Sequence, residues 1–515
     1  MKEAKIGQPD RLVMEKRRKA FVWALVSVLL LAGALLLWNR CLRPTRIAFV
    51  NYQVTILGQI AKSNDSRFIR LKEVDLENLK ALRHCDMVML NGMGLRITEE
   101  QRALLQRISR RVPMLSTAVT NPDNDIVSVD SLTADTLTQY LSNGGRGNYR
   151  SMLHYIRRQV DRKPFFAGEP EPVRIASREL LYHADPAHPE AEEAGFSSLA
   201  GYLGFLKQKG LYREGAPNII LTGQMGEPFA LIASLEASGN NLFPVRNMRA
   251  FVRDGHADSL QVSAVINMAH GRMGDYMVRY LERHNIPLFN TVYVPQLTSA
   301  WEADRMGMSG GFLSQSIVTP EIDGAIRPYA IFAHRVNAEG LTEMYAEPHR
   351  LADFVETVNR YIALKSKPNR DKRIAIFYYK GPGQNALTAS GLEVVPSLYR
   401  LLLALRDEGY QTGTLPASAE ALGRMLQQQG SVLGSYAEGA FERFLREGNP
   451  EMLTQSQYLA WVKQALRAER YAEVVSLYGD FPGRYMSAEG KLAVARLQFG
   501  NVVPMPPPLP SSVWR

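Results

Sequence analysis

Cysteine is scarce in this chain of 515 residues, which contains only Cys41 and Cys85. Two cysteines form neither a disulfide framework nor a four-ligand zinc site, so the sequence predicts no structural metal held by cysteine. The sequence also has no Walker loop, HExxH, CxxC or GxSxG motif in a useful context. The common nucleotide-binding and hydrolase classes therefore have no support.

Net positive charge is also small over most of the chain, although the formal net charge of the whole is +10. Residues 1–46 contain ten Lys or Arg and three acidic residues, a net of +7, which leaves +3 for the rest. A nucleic-acid-binding protein needs a basic patch on its folded part, so no nucleic-acid partner is expected. An apolar content of 46% is typical of globular protein, and the length predicts three or four domains.

Long apolar runs are absent except for one, Ala20–Trp38, which contains no charged residue. At 1.5 Å per residue it is about long enough to cross a ~30 Å hydrocarbon layer. The sequence predicts a basic cytoplasmic tail over residues 1–19 and a transmembrane helix over 20–39. The larger basic cluster, Lys16–Lys19, precedes the run, so a single-pass inner-membrane protein with its bulk in the periplasm is predicted.

Two alternatives to an uncleaved anchor are less consistent with this segment. A signal peptide has a shorter apolar region that ends in a small-x-small cleavage site, whereas this run ends in Leu37-Trp38-Asn39-Arg40. The same bulky and charged residues stand before Cys41, where a lipoprotein would have small ones.

Beyond residue 45, short apolar runs alternate with amphipathic runs, which predicts several parallel-sheet α/β domains in tandem. The expected domains cover residues 46–161, 173–365 and 373–503, with helices dominating after Ser418 and a Pro-rich tail over 504–515. Predicted strands are Arg46–Val50, Asp86–Leu90, Val112–Ser116, Asn218–Thr222, Ser263–Asn267, Ile286–Thr291, Ile317–Val318 and Arg373–Tyr379. Predicted helices are Val74–Leu82, Thr98–Arg110, Phe229–Ser238, Leu351–Ala363, Pro396–Gly409, Ser418–Gln428, Ala437–Arg446 and Gln455–Arg470.

Histidines in two segments of the chain are candidates for ligand binding. His183 and His188 stand five positions apart with Asp185 between them, a composition that suits a transition metal but also a loop of solvated polar residues. His270 follows the predicted strand Ser263–Asn267 directly, and the carboxyl end of a strand is where open α/β sheets bind ligands. A structural histidine is the alternative for His270.

Acidic and glycine-rich segments are the other candidates. Glu321 and Asp323 point the same way if the backbone is extended, with Gly324 allowing a tight turn behind them. A turn with solvated acids is the simpler interpretation. The segment Tyr379–Asn385 (YKGPGQN) follows a predicted strand, and its glycines permit close approach of a ligand to the backbone, or simply a turn.

The order of these segments resembles the CobN/magnesium-chelatase-H family, the large tetrapyrrole-binding subunits of cobalt and magnesium chelatases. The matching segments are Tyr182–Asp185 (YHAD), Gly239–Val245 (GNNLFPV), Val294–Gln296 (VPQ), Trp301, Pro320–Gly324 (PEIDG), Arg373–Ile376 (RIAI), Gly391-Leu392, Ser397-Leu398, Glu408–Tyr410 (EGY) and Gly500–Val503 (GNVV). The family's His-x-Gly-x-His-Gly stretch would follow residue 515. The sequence is therefore expected to be the N-terminal portion of a longer or split chelatase, without the catalytic half.

The resemblance implies a tetrapyrrole ligand, namely haem, a porphyrin or a corrinoid, and a divalent metal substrate, Co, Fe or Mg. ATP hydrolysis would come only from partner AAA+ chelatase subunits, since this chain has no P-loop. The predicted anchor is closest to the HmuS-like branch, in which iron is removed from haem and the partners are haem-uptake membrane proteins and the lipid bilayer. The alternative is a non-catalytic membrane-tethered module that binds a tetrapyrrole or a protein partner.

Combined with residue chemistry, the resemblance suggests roles for five side chains. His183 and His270 would bind the ligand and its metal as axial ligands, and Trp301 would stack on the macrocycle. Glu321 and Asp323 would be catalytic carboxylates that accept pyrrole protons or receive the departing metal.

Overall fold

The structure is a computed structural model that describes residues 9–175, 179–184, 193–223, 228–338, 340–378, 388–389, 391–428, 439–484 and 486–505. Asp185 and His188, the segment Tyr379–Asn385 and most of the Pro-rich tail lie outside the described residues. The chain divides into two compact units, residues 1–362 and 363–515.

A long N-terminal helix, α1 (Pro9–Leu37), continues through a short π-helical segment, Trp38–Leu42. Within it, Arg17–Leu42 is long and apolar enough to cross a membrane, and none of its most apolar window is buried. Signal sequences share this length and composition, so the helix is compatible with a membrane anchor without establishing one.

The first unit opens with a four-stranded parallel sheet in the order β2-β1-β3-β4. Its strands are β1 (Thr45–Val50), β2 (Ile69–Glu73), β3 (Met87–Asn91) and β4 (Met114–Thr117). Its helices are α2 (Val54–Lys62), α3 (Glu99–Ser109), α4 (Ser131–Asn143) and α5 (Arg146–Tyr155), with 3-10 segments at Leu76–His84 and Pro122–Asn124 and a π-helical extension of α5 at Ile156–Val160. Thr98 caps α3 through a capping box with Gln101.

A second sheet follows in the same unit, with strand order β12-β11-β10-β9-β7-β8. Neighbouring strands are parallel except the edge strand β12, which is antiparallel to β11. Its strands are β7 (Asn218–Thr222), β8 (Asn241–Pro244), β9 (Val262–Asn267), β10 (Leu288–Leu297), β11 (Ala325–Val336) and β12 (Thr342–Ala346). The short pair β5 (Leu181–His183) and β6 (Ala194–Phe196) precedes it.

The helices around this sheet are α6 (Leu199–Gln208), α7 (Phe229–Ala237), α8 (Met248–Arg253), α9 (His256–Leu260), α10 (Asp275–Arg283), α11 (Thr298–Ala303), α12 (Gly310–Leu313), α13 (Thr319–Ile322) and α14 (Pro348–Ser366). Buried side chains fill both faces of the sheet, as expected for a parallel sheet covered by helices. The prediction of a strand at Ile317–Val318 is wrong. These residues end a π-helical segment, Ser314–Val318, that joins α12 to α13. Two apolar residues in a row do not distinguish a strand from a buried helical turn.

The second unit pairs β13 (Ile374–Phe377) in parallel with β19 (Val502–Met505), over a core that includes Leu398, Leu402 and Leu422. Its other elements are β14 (Thr388–Ala389), β15 (Leu392–Glu393), α15 (Val394–Asp407), α16 (Ala419–Gln428), α17 (Ala440–Glu447), β16 (Glu451–Leu453), α18 (Gln455–Ala465), α19 (Ala468–Tyr478), β17 (Ser487–Ala488) and β18 (Lys491–Val494). The single helix predicted over Gln455–Arg470 is wrong, because Leu466 and Arg467 are extended and separate α18 from α19.

Candidate functional site

The second sheet has a topological switch point between β7 and β9. The chain passes from β7 to β8 on one side and then crosses to β9 on the other. Ligands of open α/β sheets bind in the crevice outside the carboxyl ends of such strands. At this point the segments after β7 and β9 approach closely: a Cβ on Gly223 would lie 2.7 Å from the backbone nitrogen of Ala269. Only glycine fits there, and its φ of +69° also favours glycine.

His270 lies in the loop that follows β9, where the sequence predicts it, and its side chain is exposed. Two contacts fix the loop on either side of it. Asn267 forms a turn with Ala269, accepting from its N–H at 3.2 Å and donating to its carbonyl at 3.0 Å. The N–H of Gly271 donates to the carbonyl of Gln315 at 2.8 Å. The loop therefore presents an imidazole to solvent from a constrained backbone.

Asp323 is a buried residue that holds the far end of the same loop. Its carboxylate accepts hydrogen bonds from Nε of Arg272 and from the N–H of Met273. Arg272 also pairs with Asp275 at 2.9 Å, and the pKa of Arg272 is raised, mainly by its hydrogen bond to Asp323. Both oxygens of Asp323 are thus engaged in positioning the His270 loop.

The expectation that Glu321 and Asp323 point the same way is wrong, because their backbone is not extended. Glu321 belongs to the helical turn α13, and Asp323 is the residue that ends it. Pro320 at the start of that turn favours helix. As a result Glu321 is exposed to solvent while Asp323 is buried.

Trp301 lies on α11, directly after the carboxyl end of β10, so it belongs to the same edge of the sheet. The guanidinium of Arg350 packs on the ring of Trp301, 4.8 Å from the ring centroid. Arg350 is also 4.5 Å from the ring of Tyr329. Trp301 is half-buried and retains some exposed surface.

His183, expected as a metal or haem ligand, is enclosed in the protein at 1% exposure. Its Nε2 lies 2.9 Å from Oε1 of Glu236 on α7, and the rings of Tyr202 and Phe205 pack beside it. This environment suits a structural histidine. Among the described residues no group of three or more His, Cys, Asp or Glu is arranged to hold a metal ion.

The structure also contains a cavity of about 270 Å³ that the sequence analysis missed. It is lined by the glycine-rich segment Gly144–Gly147, where α5 begins, and by three arginines and two glutamates: Arg146, Arg174, Arg246, Glu179 and Glu193. Arg246 pairs with both glutamates, and Arg174 lies 3.4 Å from Glu179. The lining therefore carries one net positive charge. The Gly-Gly-Arg-Gly sequence at residues 144–147 is the local feature that could have indicated this cavity.

Two features connect this cavity to the edge of the second sheet. Arg246 follows the end of β8, and Phe229, which also lines the cavity, begins the helix after β7. Arg146 lies over Phe229, with Cζ 5.4 Å from the ring centroid, and burial lowers the pKa of Arg146. The carboxyl ends of β8 and β9 are two strands apart, about 10 Å. The arginine cavity and the His270 loop thus lie on neighbouring parts of one edge.

Taken together, the fold is that of a mixed α/β protein with parallel sheets and a topological switch point in the larger one. The sequence profile of the family described as CobN/Magnesium Chelatase matches residues 138–511, which is more than half of the chain. The chain belongs to the CobN/magnesium chelatase family.

Individual relatives agree with this assignment. The aerobic cobaltochelatase subunit CobN of Pseudomonas aeruginosa is 25% identical over 460 residues, covering 83% of this chain and 35% of its own length. The chloroplastic magnesium-chelatase subunit ChlH of Oryza sativa subsp. indica is 27% identical over 303 residues, covering 55% and 20%. The catalytic subunit of cobaltochelatase from Mycobacterium tuberculosis has the same fold, with a TM-score of 0.63 and 20% identity over 90% of this chain and 39% of its own. The chain thus spans only about a fifth to two fifths of the length of these proteins.

Proposed function

We propose that this protein binds a tetrapyrrole at the carboxyl edge of its second sheet for metal exchange, as the N-terminal portion of a CobN-like large chelatase subunit. The observation that carries the proposal is the exposed His270 on a loop fixed by Asn267, Gln315 and Asp323 at the topological switch point. An exposed imidazole on a rigid loop suits the axial position of a metallated macrocycle.

The neighbouring groups fit the other parts of such a ligand. The remaining exposed surface of Trp301 would contact the face of the macrocycle, and the arginine cavity would bind its carboxylate substituents. Glu321, the exposed carboxylate, is the better candidate for proton transfer, because Asp323 is engaged with Arg272 and Met273. When Fe²⁺ leaves a haem, two pyrrole nitrogens each gain a proton, and insertion of Co²⁺ or Mg²⁺ releases two.

The direction of the reaction follows from the proposed location. An uncleaved α1 would place the folded part on the periplasmic side of the inner membrane, in the arrangement of the HmuS-like branch. There haem-uptake membrane proteins would supply haem and iron removal would proceed without ATP. Insertion of cobalt or magnesium would instead require AAA+ partner subunits on the ATP-containing side.

The test is a titration of the full chain in detergent with haem, comparing the parent with His270→Ala and with His84→Ala as a control. His84 is also exposed, but it lies in the first sheet region. The parent and the control should shift the main haem absorption band, and His270→Ala should lose the shift. Equal spectra in all three would overturn the proposal for His270.

A second measurement separates catalysis from capture. Free porphyrin fluoresces strongly, whereas haem does not, so iron removal is followed as a rise in fluorescence under reducing conditions. A rise that depends on the protein and falls in Glu321→Gln supports the chelatase function. Binding without any rise supports the alternative, a membrane-tethered tetrapyrrole-binding module.

A further inference from the structure

Arg157 is completely buried and joins the segment after α1 to the first sheet. Its guanidinium donates to the carbonyls of Cys41 at 3.1 Å and Arg43 at 3.3 Å, and to Oγ1 of Thr45 at 2.9 Å. The same group donates to the carbonyl of Phe68 at 3.0 Å and of Phe165 at 3.1 Å. Residues 41–45 are therefore part of the folded domain and not a loose tether between it and the helix.

The loop that Arg157 holds through the carbonyl of Phe165 carries two exposed aromatic residues. These are Phe165 and Phe166, at 57% and 54% exposure. It is well ordered by its contacts. The ring of Phe166 stacks on Phe68 with centroids 4.3 Å apart, and its carbonyl accepts from Oγ of Ser66 at 3.0 Å. Phe166 has a φ of +58°, an uncommon conformation for a residue other than glycine. Two large apolar side chains are thus kept in solvent by a constrained backbone.

These residues lie at the end of the first sheet from which α1 departs. Thr45 begins β1, and Phe68 immediately precedes β2, so both mark the amino ends of parallel strands. The opposite, carboxyl edge lies about 16 Å away, the length of a five-residue strand, and includes the exposed Met93 just after β3. The amino edge also carries two exposed cations. Arg67 lies over the ring of Phe68, and Arg162 lies in the loop that contains Phe165 and Phe166.

We propose that Phe165 and Phe166 insert into the headgroup region of the bilayer that α1 crosses, so that the amino edge of the first sheet rests on the membrane. The inference depends on the membrane attachment proposed above and adds a second, interfacial contact to it. Aromatic side chains flanked by arginines are typical of interfacial anchors, and Trp38 supplies another at the end of the span. The bilayer is the expected partner of this loop because Arg157 contacts both the segment that follows α1 and the loop that carries Phe165 and Phe166.

The test uses the full chain in lipid nanodiscs made with or without lipids brominated on their acyl chains close to the headgroups. Phe165→Trp and Phe166→Trp each add a fluorophore, and Met93→Trp is the matched control on the opposite edge. We expect the fluorescence added by the first two variants to be blue-shifted and mostly lost in brominated discs. The fluorescence added by Met93→Trp should be unchanged. Circular dichroism confirms that each variant is folded.

The outcomes separate this inference from the membrane anchor itself. If Trp23 and Trp38 of the parent are not quenched by brominated lipid, the anchor fails, and the inference fails with it. If they are quenched while Trp at positions 165 and 166 behaves like Trp at position 93, only the interfacial contact is overturned. If Trp at 165 and 166 is shielded from both brominated lipid and aqueous iodide, a protein surface covers the loop, which also overturns it.

Discussion

His183 and Glu236 form a buried pair, with Nε2 of the histidine 2.9 Å from Oε1 of the carboxylate and side chains only 1% and 6% exposed. The pair joins β5 to α7, the helix that follows the central strand β7. A histidine in the Tyr-His-x-Asp segment therefore stabilises the region next to the arginine cavity, where Arg246 lies 4.6 Å from the ring of Tyr182.

Replacing His183 by Ala should therefore lower the free energy of unfolding and leave haem ligation unchanged. Removing one partner of a buried pair leaves the other uncompensated, at a cost of about 3–5 kcal/mol. We expect denaturant unfolding in detergent to show this loss, while the variant that remains folded retains the haem band shift. A lost band shift with unchanged stability would instead identify His183 as a ligand.

Asp323 should act by positioning the His270 loop. In Asp323→Asn the charge that holds Arg272 and the N–H of Met273 is lost, and hydrogen bonds to a charged group contribute about 1.5–3 kcal/mol. We expect a loss of about 2 kcal/mol in the free energy of unfolding, together with weaker haem binding. Glu321→Gln is the matched control: its exposed side chain predicts a stability change within about 0.5 kcal/mol. If Asp323→Asn bound haem as tightly as the parent, the positioning role would be contradicted.

His154 should make stability depend on pH. Its Nδ1 accepts from the N–H of Gly168 at 3.1 Å, and burial lowers the pKa of His154 below its ordinary value of 6.5, although Asp65 acts in the opposite direction. A lowered folded-state pKa means that the unfolded chain binds the proton more readily, so this contribution is present above pH 6.5 and lost on acidification towards the folded-state pKa. Denaturant midpoints measured from about pH 8 to about pH 5 should fall less in His154→Gln than in the parent. Exposed His84→Gln serves as the control and should follow the parent.

Arg146 should contribute to binding of carboxylates in the arginine cavity. We expect Arg146→Gln to weaken haem binding about tenfold, equivalent to ~1.4 kcal/mol, because a charged hydrogen bond to a propionate is lost. Haem dimethyl ester, in which both propionates are blocked, should bind the parent and the variant equally. Arg360→Gln, on the exposed face of α14, is the control. An equal loss of affinity for haem and its ester would show that Arg146 does not contact the carboxylates.

The sequence predicted those parallel strands that are continuous apolar runs, such as Asn218–Thr222, because such strands are buried on both faces. It did not predict the parallel strands β2, β8, β11 and β19. The strand end before His270 was predicted for the same reason. Boundaries decided by local backbone geometry were missed. The turn at Leu466-Arg467 contains no glycine or proline to mark it, and the helical turn at Glu321 depends on Pro320 beginning it.

Contacts between residues that are far apart in the sequence could not be predicted, for a different reason. Nothing near His183 indicates Glu236, 53 positions away, and Asp323 meets Arg272 only because the helical segment before β11 crosses the loop after β9. The arginine cavity combines residues from Gln59 to Arg246, so no local window contains it. Its glycine-rich turn was visible, but its partners required the fold.

Strand β12 is the antiparallel edge of the second sheet, and α2 of the first sheet region lies against it. A Cβ on Gly58 would be 3.1 Å from Cβ of Glu343, and Nζ of Lys62 donates to the carbonyl of Met344 at 3.2 Å. Uncovered strand edges recruit other strands and lead to aggregation. Because synthesis proceeds from the N-terminus, α2 leaves the ribosome long before β12 does. Helix α2 is therefore already present to cover the edge of β12 when that strand forms. A shortened version of the chain that begins at the second sheet would lose this protection.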